Sequence, residues 1–241
     1  MIMMQTGGAK ASLSVRGMLD GFCRSYLGKT EDPAAISFGF FVNGSDWWTV
    51  TIHSEGTYDI ESRKPSEPTF YLVSTDKTLE DIFLGKIHFM TAAGRASMRD
   101  YAPLDFRFMD GYTPPDDFDL MDFAFHFFVI GEPERIPLGK EYARVVHGGY
   151  AIPLMYAKGL RTGWYRVEPD MVINEEEGEQ FNPFNTLVIG TKGKGSIKLG
   201  SGEYSFTEGE AYMIPANTAH SFRSNYEEGL EFVIIMWGEG A

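Results

Sequence analysis

The residue with the most specific chemistry in its surroundings is His220. It closes the run Gly209-Glu-Ala-Tyr-Met-Ile-Pro215-Ala-Asn-Thr-Ala-His220 and is followed by Ser-Phe-Arg-Ser-Asn225. A polar turn, a short apolar stretch, a proline and a second alternating stretch predict strand, tight turn, strand. The histidine then opens the second strand, where its ring can point into the mouth of a small barrel. An imidazole there can ligate a metal, move a proton or hydrogen-bond a polar ligand. Other reactive residue types are scattered. His147 in Val-Val-His-Gly-Gly reads as a buried or turn histidine, and Glu175-Glu-Glu177 with Glu179 reads as a solvated acidic loop. His126 sits in the most apolar segment and reads as neutral and packed. Cys23, the single cysteine, reads as structural. Lys192-Gly-Lys-Gly195 precedes a strand rather than a helix, so it reads as a hairpin turn and not as a phosphate loop.

The elements that must position these residues fall into two groups. After a loose terminus over 1–9, apolar residues at helical spacing predict a helix over Ala11–Leu27. Ile36–Val42, Trp48–His53, Tyr58–Glu61 and Thr69–Val73 are short, β-branched and aromatic, and are separated by turn residues; they predict an antiparallel meander. Ser74 or Thr75 can cap a helix with Leu79, Ile82, Phe83 and Leu84 on its buried stripe, ended by Gly85. A short helix over Met90–Arg95, a strand over Leu104–Phe108 and an apolar helix over Phe118–Ile130 follow. Gly131 to Gly139, with two prolines, marks a boundary, so the expected division is 10–130, a linker or arm over 131–150, and a second domain over 151–241. Beyond the boundary the pattern is all β, with strands at a spacing that favours a sandwich or barrel.

Composition excludes several classes. The 241 residues are 43% hydrophobic and carry 34 acidic against 21 basic side chains, a formal charge of -13. That field disfavours nucleic acids and anionic membranes. One cysteine permits neither an internal disulfide nor a thiolate cluster. The richest apolar run, Phe123–Ile130, is far short of the ~18 residues a span needs. A cytoplasmic protein with no membrane span is expected.

Two resemblances extend this reading. Gly209, Pro215, His220 and Asn225 resemble the second motif of the cupin family, with Asn217 where that motif has a second Gly; Asn tolerates the left-handed conformation such a turn needs. The resemblance implies a double-stranded β-helix (jelly-roll) barrel. Trp48-Thr-Val-Thr-Ile-His-Ser-Glu-Gly-Thr-Tyr58 and Thr75 through Gly85-Lys86 resemble the SCP2 sterol-transfer family. That implies an α+β domain, an antiparallel sheet with helices, and a possible tunnel for a lipid or acyl ligand.

Cupins that bind metals take two His and one Glu from a first motif. With that motif's last Gly on Gly193, those positions read Gln180, Asn182 and Thr186. One imidazole with amides and a hydroxyl is a poor donor set for a transition metal, so no cofactor is expected. His220 then either orients a polar ligand, a sugar or small organic acid, beside Gln180, Asn182 and Thr186, or merely holds a turn. Phe181, Phe184, Tyr212, Phe222 and Trp237 are candidates for the ligand-binding walls. The rival expectation is a metal-dependent cupin enzyme, an isomerase, dioxygenase or lyase, with a divalent metal on His220 and carboxylates from the Glu175–Glu179 loop. A homodimer is expected by analogy with the fold.

Overall fold

The computed structural model describes residues 13–95, 101–115, 118–131, 135–176 and 181–241. The expected loose terminus, Glu177, Glu179 and Gln180 lie outside the described residues.

The first half is built on a helix and a five-stranded sheet. Helix α1 (Val15–Lys29) is capped by Ser14, whose hydroxyl accepts from the Gly17 amide. Its buried face carries Met18, Leu19, Phe22, Cys23 and Tyr26. Strands β1 (Ile36–Val42), β2 (Asp46–Ile52), β3 (Tyr58–Glu61), β4 (Phe70–Ser74) and β5 (Asp105–Phe108) lie in the order β3-β2-β1-β4-β5. The meander expectation is corrected at β4. It does not follow β3 but lies beside β1, parallel to it, with Gly39 opposite Tyr71. The connection between β3 and β4, with Pro65 and Pro68, carries the chain back across the sheet before β4 begins. Helix α2 (Asp76–Phe83) starts at the expected cap, the Thr75 hydroxyl accepting from the Thr78 amide. Short α3 (Phe89–Ala93) and α4 (Leu120–Phe128) complete this half.

Aromatic rings fill its core. Phe38 stacks on Phe70 at 5.2 Å and meets Phe123 and Phe127 edge-on; Phe22 packs on Phe127 and Phe128. The expectation of a packed His126 is corrected. Helix α4 turns Phe123, Ala124, Phe127 and Phe128 inward, which leaves the His126 side chain 46% exposed, 3.6 Å from Asp122 one turn earlier. Cys23 is buried as expected; burial first, then the Asp20 charge, pushes its thiol up to about 12.

Apart from a single 3-10 turn, Lys140–Tyr142, the described second half is β. Strands β6 (Arg144–Val146), β7 (Gly149–Ala157), β8 (Leu160–Val167), β9 (Val172–Ile173), β10 (Asn185–Leu199), β11 (Gly202–Thr207), β12 (Ala211–Ile214), β13 (His220–Arg223) and β14 (Leu230–Trp237) form one curled sheet. Within the stretch read as an arm, β6 and the start of β7 pair through a tight turn at His147 and Gly148. Strand β10 is the spine. Its first part lies between β12 and β14; its second part lies between β11 and β13. The sheet therefore folds over itself around Val188, Ile197, Phe206, Ile214, Phe222 and Phe232.

This corrects the reading of Lys192-Gly-Lys-Gly195 as a hairpin turn: it is the middle of a single 15-residue strand. The glycines are there because other strands cross at backbone contact. A Cβ on Gly190 would lie 2.3 Å from the Thr207 carbonyl oxygen, and one on Gly195 would lie 2.3 Å from that of Arg223.

The halves meet at α3 and β7. The Arg144 guanidinium, on β6, donates to the carbonyls of Thr91 (2.9 Å), Gly94 (3.0 Å) and Tyr101. A cation on the last carbonyls of a helix satisfies acceptors with no partner inside the helix and complements the helix dipole. Gly94 brings the two backbones close: a Cβ there would sit 2.7 Å from the Pro153 ring. Among the described residues no helix is long and apolar enough to cross a membrane.

Candidate functional site

The turn before β13 is fixed by polar contacts. Asn217 takes the left-handed conformation (φ 61°), as its place in the Pro215–Ala219 turn requires. Its amide donates to the Asn182 carbonyl at 2.7 Å, and the Ala216 amide donates to the Asn185 side chain at 3.2 Å. These bonds hold the segment before β10 against the start of β13. They bring Asn182 and His220, 38 residues apart, into contact.

His220 is 2% exposed. Its Nδ1 lies 2.9 Å from the Thr218 carbonyl oxygen. A carbonyl only accepts, so Nδ1 carries the proton. Burial lowers the ring's pKa, opposed by the bond to Thr218, and the imidazole is neutral at pH 7. Nε2 is then a lone-pair acceptor. The Asn182 amide nitrogen lies 3.5 Å from it, a long contact that leaves capacity for a better donor, and 3.2 Å from the Thr186 hydroxyl.

His220 and Asn182 line a cavity of about 200 Å³. Strand periodicity builds its walls, because alternate residues face the same side. From β14 come Phe232, Ile234 and Met236; from β8, Arg161 and Tyr165; from β13, His220 and Phe222. Strand β7 adds Ala151, Pro153 and Tyr156, and the first half adds Thr91, Gly94 and Arg95. The Tyr165 ring stacks on Phe232 at 5.6 Å, and burial pushes its phenol well above the ordinary value, so it remains a donor. The Arg161 guanidinium lies over the rings of Tyr156 (5.4 Å) and Phe184 (5.7 Å).

Of the residues singled out from the sequence, His220, Asn182, Phe222, Phe181 and Phe184 line the cavity. Thr186 stands behind Asn182, 0% exposed. Tyr212 and Trp237 lie outside the wall. Tyr212 packs edge-on against Phe206 and donates to the Ser205 carbonyl; Trp237 follows Met236 and so faces the other side of β14. His147 lines the cavity from its turn. Arg161, Tyr165, Arg95 and Thr91 carried no motif. For Arg161 and Tyr165 only the alternation of Arg161, Gly163 and Tyr165 on one face of β8 could have served as a signal; Arg95 and Thr91 had none.

Among the described residues, the donors around His220 do not suit a transition metal. His220 is flanked by an amide and a hydroxyl, and among the described residues no three His, Cys, Asp or Glu side chains come together as a metal ion would require.

No family model and no curated protein matches the chain. Solved structures do resemble it. A cupin 2 conserved barrel domain protein from Salinispora arenicola is 17% identical over 45% of this chain and 91% of its own, with a TM-score of 0.39. The structure of KdgF from Halomonas sp. is 13% identical over 40% of this chain and 86% of its own, with a TM-score of 0.35. A variant of oxalate decarboxylase from B. subtilis is 19% identical over 42% of this chain and 28% of its own, with a TM-score of 0.36.

Proposed function

We propose that the protein binds a small polar organic molecule in the cavity at His220, without catalysing a reaction on it. The observation that carries this reading is the state of His220. A buried neutral imidazole has one nitrogen fixed by a backbone carbonyl and the other available as an acceptor on a cavity wall. It suits a ligand hydroxyl or N–H, with the Asn182 amide beside it as a donor. Aromatic and aliphatic side chains from β13 and β14 supply the apolar contact area, the usual composition of a small-molecule site.

The test is an NMR titration of the full chain with small sugars and hydroxylated organic acids, followed at the His220 ring. A saturable shift is expected, with binding at least about tenfold weaker in His220→Leu, the loss of one good hydrogen bond to a buried partner. If no compound moves the ring resonances, the reading fails.

A second reading, an apolar ligand in the first half, is favoured by one feature. A cleft of about 260 Å³ lies beside α2, α3 and the end of α4, with Ile82, Leu84, Phe89, Phe128 and Ile130 on its walls. Saturable uptake of a fluorescent fatty acid, lost in Phe128→Glu but retained in His220→Leu, supports it; no uptake removes it.

A further inference from the structure

We infer that the ligand of the His220 cavity is a small monocarboxylate, its carboxylate held by Arg161 and its body lying along Phe222, Phe232 and Ile234. The inference rests on the small-ligand reading of that cavity and names the chemical class.

Charge is the first observation. The chain carries 34 acidic residues, yet among the described residues no Asp or Glu lines the cavity, while Arg95 and Arg161 do. The two arginines are not equivalent. Arg95 is neutralised by Asp105 at 2.7 Å. Arg24, Arg63, Arg107, Arg166 and Arg223 likewise each meet a carboxylate. Arg161 meets none among the described residues. Among the described residues its guanidinium makes one hydrogen bond, from Nη2 to the Gly240 carbonyl at 3.1 Å. Tyr156 and Phe184 hold the guanidinium by their ring faces, which fixes the fork and leaves most of its donors uncommitted.

A guanidinium at a partly apolar wall costs free energy when no anion is near, and a bidentate carboxylate offsets that cost. One unneutralised cation matches one negative charge, so a monocarboxylate suits the site better than a dianionic phosphate. A sugar, with hydroxyls on every side, would leave several of them against Phe222, Phe232 and Ile234 without partners.

A second, independent feature is Thr91. It lies on the cavity wall, is 1% exposed, and its hydroxyl has no hydrogen-bond partner among the described residues. Buried hydroxyls are seldom left so, and a ligand oxygen would satisfy this one. Access is also in keeping. Arg95, Tyr156 and Arg161 line both the cavity and an adjoining open cleft of about 450 Å³ that also carries Lys158 and Asp119, so the path from solvent runs past Arg161. At about 200 Å³ the cavity holds roughly seven waters' worth of matter at ~30 Å³ each, the size of a single-ring or short-chain acid.

The test uses the full chain with three probes: benzoate, its uncharged isostere benzamide, and inorganic phosphate. Calorimetry gives affinity, and NMR follows the Arg161 side-chain Nε–H and the His220 ring. Benzoate is expected to bind at one equivalent, to shift both signals, and to bind at least tenfold more tightly than benzamide or phosphate. Arg161→Gln should remove at least tenfold of the benzoate affinity and leave benzamide unchanged. Arg161→Lys, which keeps the charge, should retain part of it, and the exposed Arg135→Gln should change nothing. Thermal melts confirm that each variant is folded. If benzamide matches benzoate, or Arg161→Gln binds benzoate normally, the anion inference falls while the small-ligand reading stands. If phosphate binds more tightly than benzoate, the carboxylate assignment falls. If no probe binds or moves either signal, the monocarboxylate inference falls, and the small-ligand reading is decided by the titration with sugars and hydroxylated acids.

Discussion

The two halves of the chain use the same side chains differently. In the first half Phe22, Phe38, Phe40, Phe70, Phe123, Phe127 and Phe128 pack ring on ring, and the space between α1, α4 and the sheet is filled. In the second half Phe222 and Phe232 stack at 4.6 Å but also face a cavity, alongside Arg161, Tyr165, Asn182 and His220. Aromatic content alone does not separate a core from a pocket. The difference lies in whether uncommitted polar groups share the wall.

Truncation should expose that difference most strongly. Phe38→Ala, in the filled core, is expected to cost about 3–5 kcal/mol in chemical denaturation. Ile234→Ala, at the cavity wall, should cost only ~1–2 kcal/mol, below the usual core range, because part of its surface already lacks packed neighbours. Equal losses at the two sites would erase the contrast.

The next effect concerns the seam. Arg144→Met removes the charged donor from the carbonyls of Thr91, Gly94 and Tyr101. A loss of about 2 kcal/mol is expected, with hydrogen exchange accelerated in α3 and β7 before the rest of the sheet. Uniform acceleration through both halves would show that the clamp does not act locally.

The smallest effect is a pH dependence. Burial lowers the pKa of His220 in the folded protein below its ordinary value of 6.5. Above pH 6.5 neither state binds the proton and the stability is fully present. As pH falls from there toward the folded value, the unfolded chain takes up a proton that the folded chain refuses, and stability declines. Glu168 and Glu203, held below their ordinary values mainly by Lys140 and by Ser196 with Arg223, act only at more acid pH. Denaturation midpoints between pH 5 and 7 should therefore slope for the wild type and slope less for His220→Gln. Equal slopes would remove His220 as the cause.

How much of this was legible depended on the range of the interaction. The Thr75 cap and the Asn217 turn are local, and residue type alone predicts them. The place of β4 beside β1 is not, because nothing within either strand names its neighbour. The glycines of β10 misled for a physical reason. The same residue that permits a turn also permits backbone contact, and here strands far along the chain make that contact. His220 stood out through its turn, and Asn182 through its spacing from Gly193. Arg161 and Tyr165 did not, since they become wall residues only when β8 pairs with β14, Arg161 opposite Met236 and Tyr165 opposite Phe232. The empty charge partner of Arg161 is likewise a fact of three dimensions.

The placement of Thr91, Gly94 and Arg95 on a wall otherwise made by the second half has an evolutionary consequence. The container is encoded in two separate stretches, and neither specifies its shape alone. Under the proposed binding role, a substitution that reshapes one wall is judged against the other, and a change of preferred molecule calls for paired changes across the seam. Exchanging either half for a homologous one would pass on the folds and lose the fit.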